Sequence, residues 1–202
     1  PSAARAAVAP IAGVTSAAGL SIAFAGEYLS TFVDLPVIPV AIVFLAVVAA
    51  LNARGIRESL GANVVMTVIE VSGLVIVVVV VAVLVGNGGG DLARIAQPPE
   101  GTGVGAAVLA GVIIAYYSFV GFETSANMIE EVKEPSKVYP RALFAALGTA
   151  GLVYVLVGLA SSIALPPEEL AASSGPLLAV VEASGVGVPS WLFSLIALIA
   201  VA

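Results

Sequence analysis

The chain has 202 residues, of which 60% are hydrophobic and 10% charged, with a formal net charge of −6 and a mean hydropathy of +1.16. A soluble domain carries about a quarter of its residues as charges, so this composition excludes an ordinary soluble surface and fits a chain whose solvent is mostly lipid. Seven scattered Lys and Arg residues form no basic stripe, which argues against a nucleic-acid partner. The absence of Cys and His excludes disulfides, thiolate or imidazole metal sites and His-dependent catalytic triads.

Six apolar stretches follow one another along the chain, at about residues 6–32, 36–51, 62–86, 104–129, 142–165 and 186–202. At 1.5 Å of rise per residue, about 20 residues cross a ~30 Å hydrocarbon core. The valine run from Val77 to Val81 favours a strand by local preference. Length overrides it, because an apolar stretch of 25 residues far exceeds a buried strand and lipid tolerates no open sheet edge. No ten-residue segments alternate polar and apolar residues, so a β-barrel is excluded as well. The expected fold is all-α, a polytopic transmembrane helical bundle in a single domain. Pro1 and Ala202 both read as internal points of a longer polypeptide.

The connecting loops carry the orientation. Arg5, Arg54, Arg57, Lys133, Lys137 and Arg141 fall on one side of an alternating topology, and Arg94 alone falls on the other with Asp34, Asp91, Glu100, Glu168, Glu169 and Glu182. Cytoplasmic loops are enriched in Lys and Arg, so the basic side is expected to be cytoplasmic and the first stretch to run outward. Breakers such as Gly86-Asn87-Gly88-Gly89-Gly90 and Leu165-Pro166-Pro167 mark outer connectors. Pro135 is expected to stop one helix and Pro140 to sit in the first turn of the next.

Three places put polar chemistry inside apolar helices. Glu27 lies near the outer end of the first stretch, where an interfacial carboxylate is expected. Glu70 lies about 12 Å into the third stretch by helix rise. A charge at that depth costs roughly 2.5–3.5 kcal/mol on insertion scales, so the side chain should face protein or water. It reads equally as a structural carboxyl bonded to a neighbouring helix and as a proton-carrying group. The richest place is Tyr116-Tyr117-Ser118-Phe119-Val120-Gly121-Phe122-Glu123-Thr124-Ser125-Ala126-Asn127. One reading is a packing helix in which Gly121 permits close approach. The other is a helix broken at Gly121, whose freed peptide groups line a cavity and offer partial charges to a zwitterionic or cationic substrate. An unbroken helix there would favour a channel or a structural membrane subunit.

In order and spacing, Gly121-Phe122-Glu123 followed by Glu130-Glu131-Val132-Lys133-Glu134-Pro135 and Pro140-Arg141-Ala142-Leu143 resembles the signature region of the amino acid-polyamine-organocation permeases. Asn52-Ala53-Arg54-Gly55-Ile56-Arg57-Glu58-Ser59 is similar to that family's loop between its fourth and fifth helices. The resemblance implies a fragment covering helices three to eight of about twelve, in a five-plus-five inverted-repeat fold. It implies a multi-pass plasma-membrane permease that carries an amino acid or related amine by alternating access, with the proton as coupling ion and symport or exchange both open. Ser118, Phe119 and Gly121 would then form the unwound substrate contact, Tyr117 an aromatic gate, and Phe122 and Glu123 the flanks of the break. Tyr116 competes with Tyr117 for the gate. Glu70 stands where similar permeases often carry a lysine, which makes it the coupling candidate and reverses the sign of the group. No cofactor, metal or catalytic residue is implied, and no GxxxxGK[ST] phosphate loop is present. An intramembrane enzyme would have only Glu123 or Glu70 for acid-base work.

Overall fold

The structure is a computed structural model that describes residues 2–54, 60–97, 101, 103–119, 129, 132 and 134–201, and for residues 2–12, 52, 60, 62, 117 and 118 the backbone alone. All regular structure among these residues is helical. Helix α1 (Ser2–Ala23) runs into a π-helical turn (Phe24–Tyr28), and α2 (Val37–Ala53) returns beside it. Helix α3 (Leu60–Gly86) is followed by a 3-10 turn (Leu92–Ala96), then by α4 (Val104–Ser118) and α5 (Pro135–Ala164). Two short helices, α6 (Pro167–Ala172) and α7 (Pro176–Ala183), form a hairpin ahead of α8 (Ser190–Val201).

Two of the helices, Asn63–Gly86 within α3 and Pro135–Ala164, are long and apolar enough to cross a membrane by length and composition. The valine run sits inside the first of them. Val77, Val80 and Val81 share one helix face by their spacing and are buried, whereas Val79 points outward and is 52% exposed. Beta-branched residues are accepted here because a helix satisfies each backbone group within its own segment, which strands in lipid cannot do.

The buried face of α3 packs against Leu178, Val180 and Val181 of α7, with Ala160 of α5, Phe193 of α8 and Tyr28 completing one apolar cluster. The short helix α7 therefore serves as a core element, although its sequence reads as part of a connector. Outward faces are also apolar: Ile42, Val68, Ile113 and Phe144 are each more than half exposed, as suits a surface that meets lipid or further helices.

Several ends of helices meet on one side of the bundle. Asp91 N–H donates to Ile163 O (2.9 Å) and Arg94 Nη1 donates to the same carbonyl (3.3 Å), joining the C-terminal ends of α3 and α5. Asp91 also accepts from Ala93 N–H and so caps the 3-10 turn. This is the side that the charge pattern assigns to the outside. At the opposite end α5 starts earlier than the sequence suggests. Pro135 occupies its first turn, and Pro140 lies within the helix. A proline in the first turn loses no intrahelical bond, so Pro135 is the better starter, and Pro140 forgoes one bond instead. Glu134, just before Pro135, adopts a left-handed conformation (φ 49°).

Candidate functional site

The expected substrate region begins at the end of α4. Tyr117 and Ser118 form the last residues of that helix, and Phe119 N–H closes a turn on Tyr116 O (3.1 Å) rather than continuing the four-residue ladder. The Phe119 ring meets Tyr154 of α5 edge-on, with centroids 5.4 Å apart at 87°, a geometry worth about 0.5–1.5 kcal/mol beyond burial. Gly151 of α5 leaves room for that ring, since a Cβ there would stand 3.8 Å from Phe119 Cζ. Tyr116 projects outward and is 77% exposed. Gly121, Phe122 and Glu123 lie outside the described residues.

Glu70 is in α3, half-buried, and among the described residues it makes no hydrogen bond or ion pair. Glu70 lines a hollow of about 150 Å³ between α3 and α8, together with Tyr28, Gly73, Leu177, Phe193 and Ile196. Gly73, one turn along from Glu70, lets the two helices close in. A Cβ on Gly73 would come 2.7 Å from Ile196 Cγ2. The hollow is walled almost wholly by aliphatic and aromatic carbon, with Glu70 the one acidic residue among the described residues along it. A neighbouring hollow between α3 and α5 is lined by aliphatic side chains alone, Val71, Leu74 and Leu156 among them, and offers nothing to a polar ligand.

A third polar place was read from the sequence only as an interfacial carboxylate. Glu27 lies at a real interruption of the first span: Gly26 departs from helical geometry (φ −84°, ψ −134°) inside the π-helical turn. The Glu27 carboxylate accepts from Ser173 Oγ (2.6 Å), Ser174 N–H (3.1 Å) and Gly175 N–H (3.3 Å), and Glu27 N–H donates to Ser174 Oγ (3.1 Å). These residues lie about 147 positions away, in the connection between α6 and α7. A partial signal was present in the sequence. Phe24-Ala25-Gly26-Glu27-Tyr28 places a glycine next to a carboxylate in an apolar stretch, much as Gly121-Phe122-Glu123 places one two residues away, and Ser173-Ser174-Gly175-Pro176 reads as a helix start. Nothing local shows that the two meet.

Comparison with known proteins completes the description. An uncharacterized transporter of Mycobacterium tuberculosis is 31% identical over 159 residues, covering 78% of this chain and 34% of the relative. Cationic amino acid transporter 7 of Arabidopsis thaliana, chloroplastic, is 27% identical over 136 residues, covering 63% of this chain and 22% of that one. The low-affinity putrescine importer of Escherichia coli K12 is 27% identical over 116 residues, covering 56% and 26%. The chain thus spans about a third of the mycobacterial relative's length and less of the other two. No solved structure matches. The amino acid permease family profile matches residues 4–202, nearly the whole chain, and together with the all-helical apolar fold this makes the chain a member of the amino acid permease family of integral membrane proteins.

Proposed function

We propose that this chain is part of a secondary active transporter that moves an amino acid or related amine across the plasma membrane by alternating access, with a proton as the coupling ion. The observation that carries the reading is the end of α4 at Ser118, immediately before Gly121-Phe122-Glu123, in a chain of the amino acid permease family. A helix that stops within an apolar stretch exposes carbonyls without partners, and such groups persist at membrane depth only against protein or a polar ligand. An ammonium group is a ligand that carbonyls freed by a break at Gly121 would accept. Two of the relatives are named for cationic amino acids and for putrescine, both amine-bearing.

In this reading Ser118, Phe119 and Gly121 present backbone groups to the substrate amine, Tyr117 closes over it, and Phe122 and Glu123 flank the break. Coupling is assigned to Glu70 because its carboxyl has no partner among the described residues and the residue borders a hollow. The basic loops lie on the cytoplasmic side.

Uptake by the full-length protein in proteoliposomes tests these assignments. Glu123→Gln and Tyr117→Ala are each expected to lower uptake by about tenfold or more, the loss of one charged or aromatic contact to a bound substrate. Wild-type uptake in either variant would remove that residue from the site. Glu70→Gln is expected to leave uptake largely independent of an imposed pH gradient. An unchanged gradient dependence would take Glu70 out of the proton path.

A further inference from the structure

We infer that Glu27 is a positioning residue: its carboxylate locks the outer arm of the first span, residues 27–32, to the α6–α7 hairpin, and Gly26 is the hinge between that arm and the rest of α1. Each side of the contact lacks something that the other supplies. Helix α7 begins at Gly175-Pro176 with no side-chain cap of its own, and helix starts leave N–H groups without intrahelical acceptors. Ser174 N–H finds its acceptor in the Glu27 carboxylate, Gly175 N–H is shared between Ser173 Oγ (3.0 Å) and the carboxylate (3.3 Å), and Ser173 Oγ in turn donates to Glu27. The interruption at Gly26 in turn leaves Glu27 N–H without its helical carbonyl, and Ser174 Oγ accepts it. A carboxylate at a helix N-terminus also meets the positive end of the helix dipole. Among the described residues no Lys or Arg pairs with Glu27, so neutral donors and the dipole hold its charge.

The close fit depends on two buried glycines. A Cβ on Gly26 would lie 2.5 Å from Ser174 Oγ, and one on Gly175 would lie 3.1 Å from Glu27 Cβ. The two sides of the break are fastened to different neighbours. Before it, Phe24 stacks on Phe44 of α2 with centroids 4.2 Å apart. After it, Glu27 holds the α6–α7 hairpin, and Thr31 Oγ1 shares a 2.9 Å hydrogen bond with Ser194 Oγ of α8. Gly26, the non-helical residue between these two sets of contacts, is where the arm turns relative to α1. The lock itself follows from this geometry, and its consequence for transport rests on the function proposed above.

The experiment uses the full-length protein in proteoliposomes, in a cysteine-free background. Ser194→Cys reports on the arm, because Ser194 is fully buried beneath Thr31. With a membrane-impermeant maleimide, labelling of this variant is expected to be slow, to accelerate about tenfold when Glu27→Gln is added, and to change less than about threefold with Glu27→Asp, which keeps the charge. Equal rates with and without Glu27→Gln, or equal effects of Gln and Asp, would overturn the lock. Ser174→Ala removes only the acceptor of Glu27 N–H and is expected to accelerate labelling about threefold; no change would count against the lock even if Glu27→Gln did not assemble. In transport, Glu27→Gln is expected to lower kcat severalfold and leave KM within about twofold, since a positioning group acts on turnover rather than on substrate contact. A raised KM at unchanged kcat would make Glu27 a substrate contact and sink the positioning role. Absence of uptake by the wild-type protein, with labelling still governed by Glu27, would overturn the transport reading and support the lock.

Discussion

The π-helical turn after α1 and the middle of α3 each carry a glutamate in an otherwise apolar stretch, and their surroundings differ. Glu27 accepts three hydrogen bonds from a segment remote in the chain, beside a helix interruption that frees its own N–H for a fourth. Glu70 sits in an uninterrupted helix and faces a hollow with no partner among the described residues. The first carboxylate is built into the structure, and the second has no such partners among the described residues. A buried charge stabilises only when donors surround it, and an unpartnered one lowers stability. The cost is a reason to read Glu70 as functional and Glu27 as architectural.

Stability measurements in detergent would sharpen or break this contrast. The largest effect is expected at Glu27→Ala, which strips the acceptor from Ser173 Oγ and Ser174 N–H, leaves Gly175 N–H only Ser173 Oγ, and should destabilise the fold by about 2–4 kcal/mol. Glu70→Leu should be neutral or stabilising by about 1–2 kcal/mol, because no bond is lost and a costly carboxyl is removed. If Glu70→Leu destabilised the protein more than Glu27→Ala, the two roles would have to be exchanged. Next in size is Val180→Ala in the core of α7, expected to cost about 2 kcal/mol, against less than about 0.5 for the outward Val79→Ala. Equal costs would mean that α7 is not the core element described above.

Gly73→Ala should cost about 1–2 kcal/mol by forcing α3 from α8 at the hollow beside Glu70. Combined with Ile196→Ala, it should cost about 1 kcal/mol less than the sum of the two single changes, because the clashing methyl is gone. Strict additivity would show that the helices do not touch there. The smallest effect is expected from Phe119→Leu, a loss of about 0.5–1 kcal/mol from the edge-on contact with Tyr154. Circular dichroism thermal melts would resolve the larger of these differences, and a denaturant series the smaller.

Much of this architecture was legible in the residues. The apolar lengths exclude strands, and the valine run becomes helix for the reason that lipid imposes. Leu165-Pro166-Pro167 ends α5 at Ala164 as such a sequence should. The start of α5 was misplaced, since two prolines five residues apart both qualify as helix starters and local chemistry does not choose between them. The hairpin of α6 and α7 was read as connector alone. Its eight-residue second helix is too short to show a period, and only contact with α3 and α8 turns Val180 and Val181 into core.

The candidate site divides in the same way. Glu70 stands out in the sequence because a lone carboxylate in a long apolar helix is costly wherever the helix packs. Gly121 and Glu123 stand out beside each other for a related reason. Glu27 shows the same local signal, yet its role depends on Ser173, Ser174 and Gly175 across the fold.

By itself the sequence determined that the chain is helical, that lipid is its main solvent, and which faces of the loops carry positive charge. These properties sum over many residues, and each residue contributes through its own hydrophobicity or charge. Tertiary structure alone decided which carboxylate is satisfied, which glycine permits helix contact and which short helix belongs to the core. Hydrogen bonds and van der Waals contacts act over a few ångströms between groups far apart along the chain, so their partners exist only once the helices are assembled.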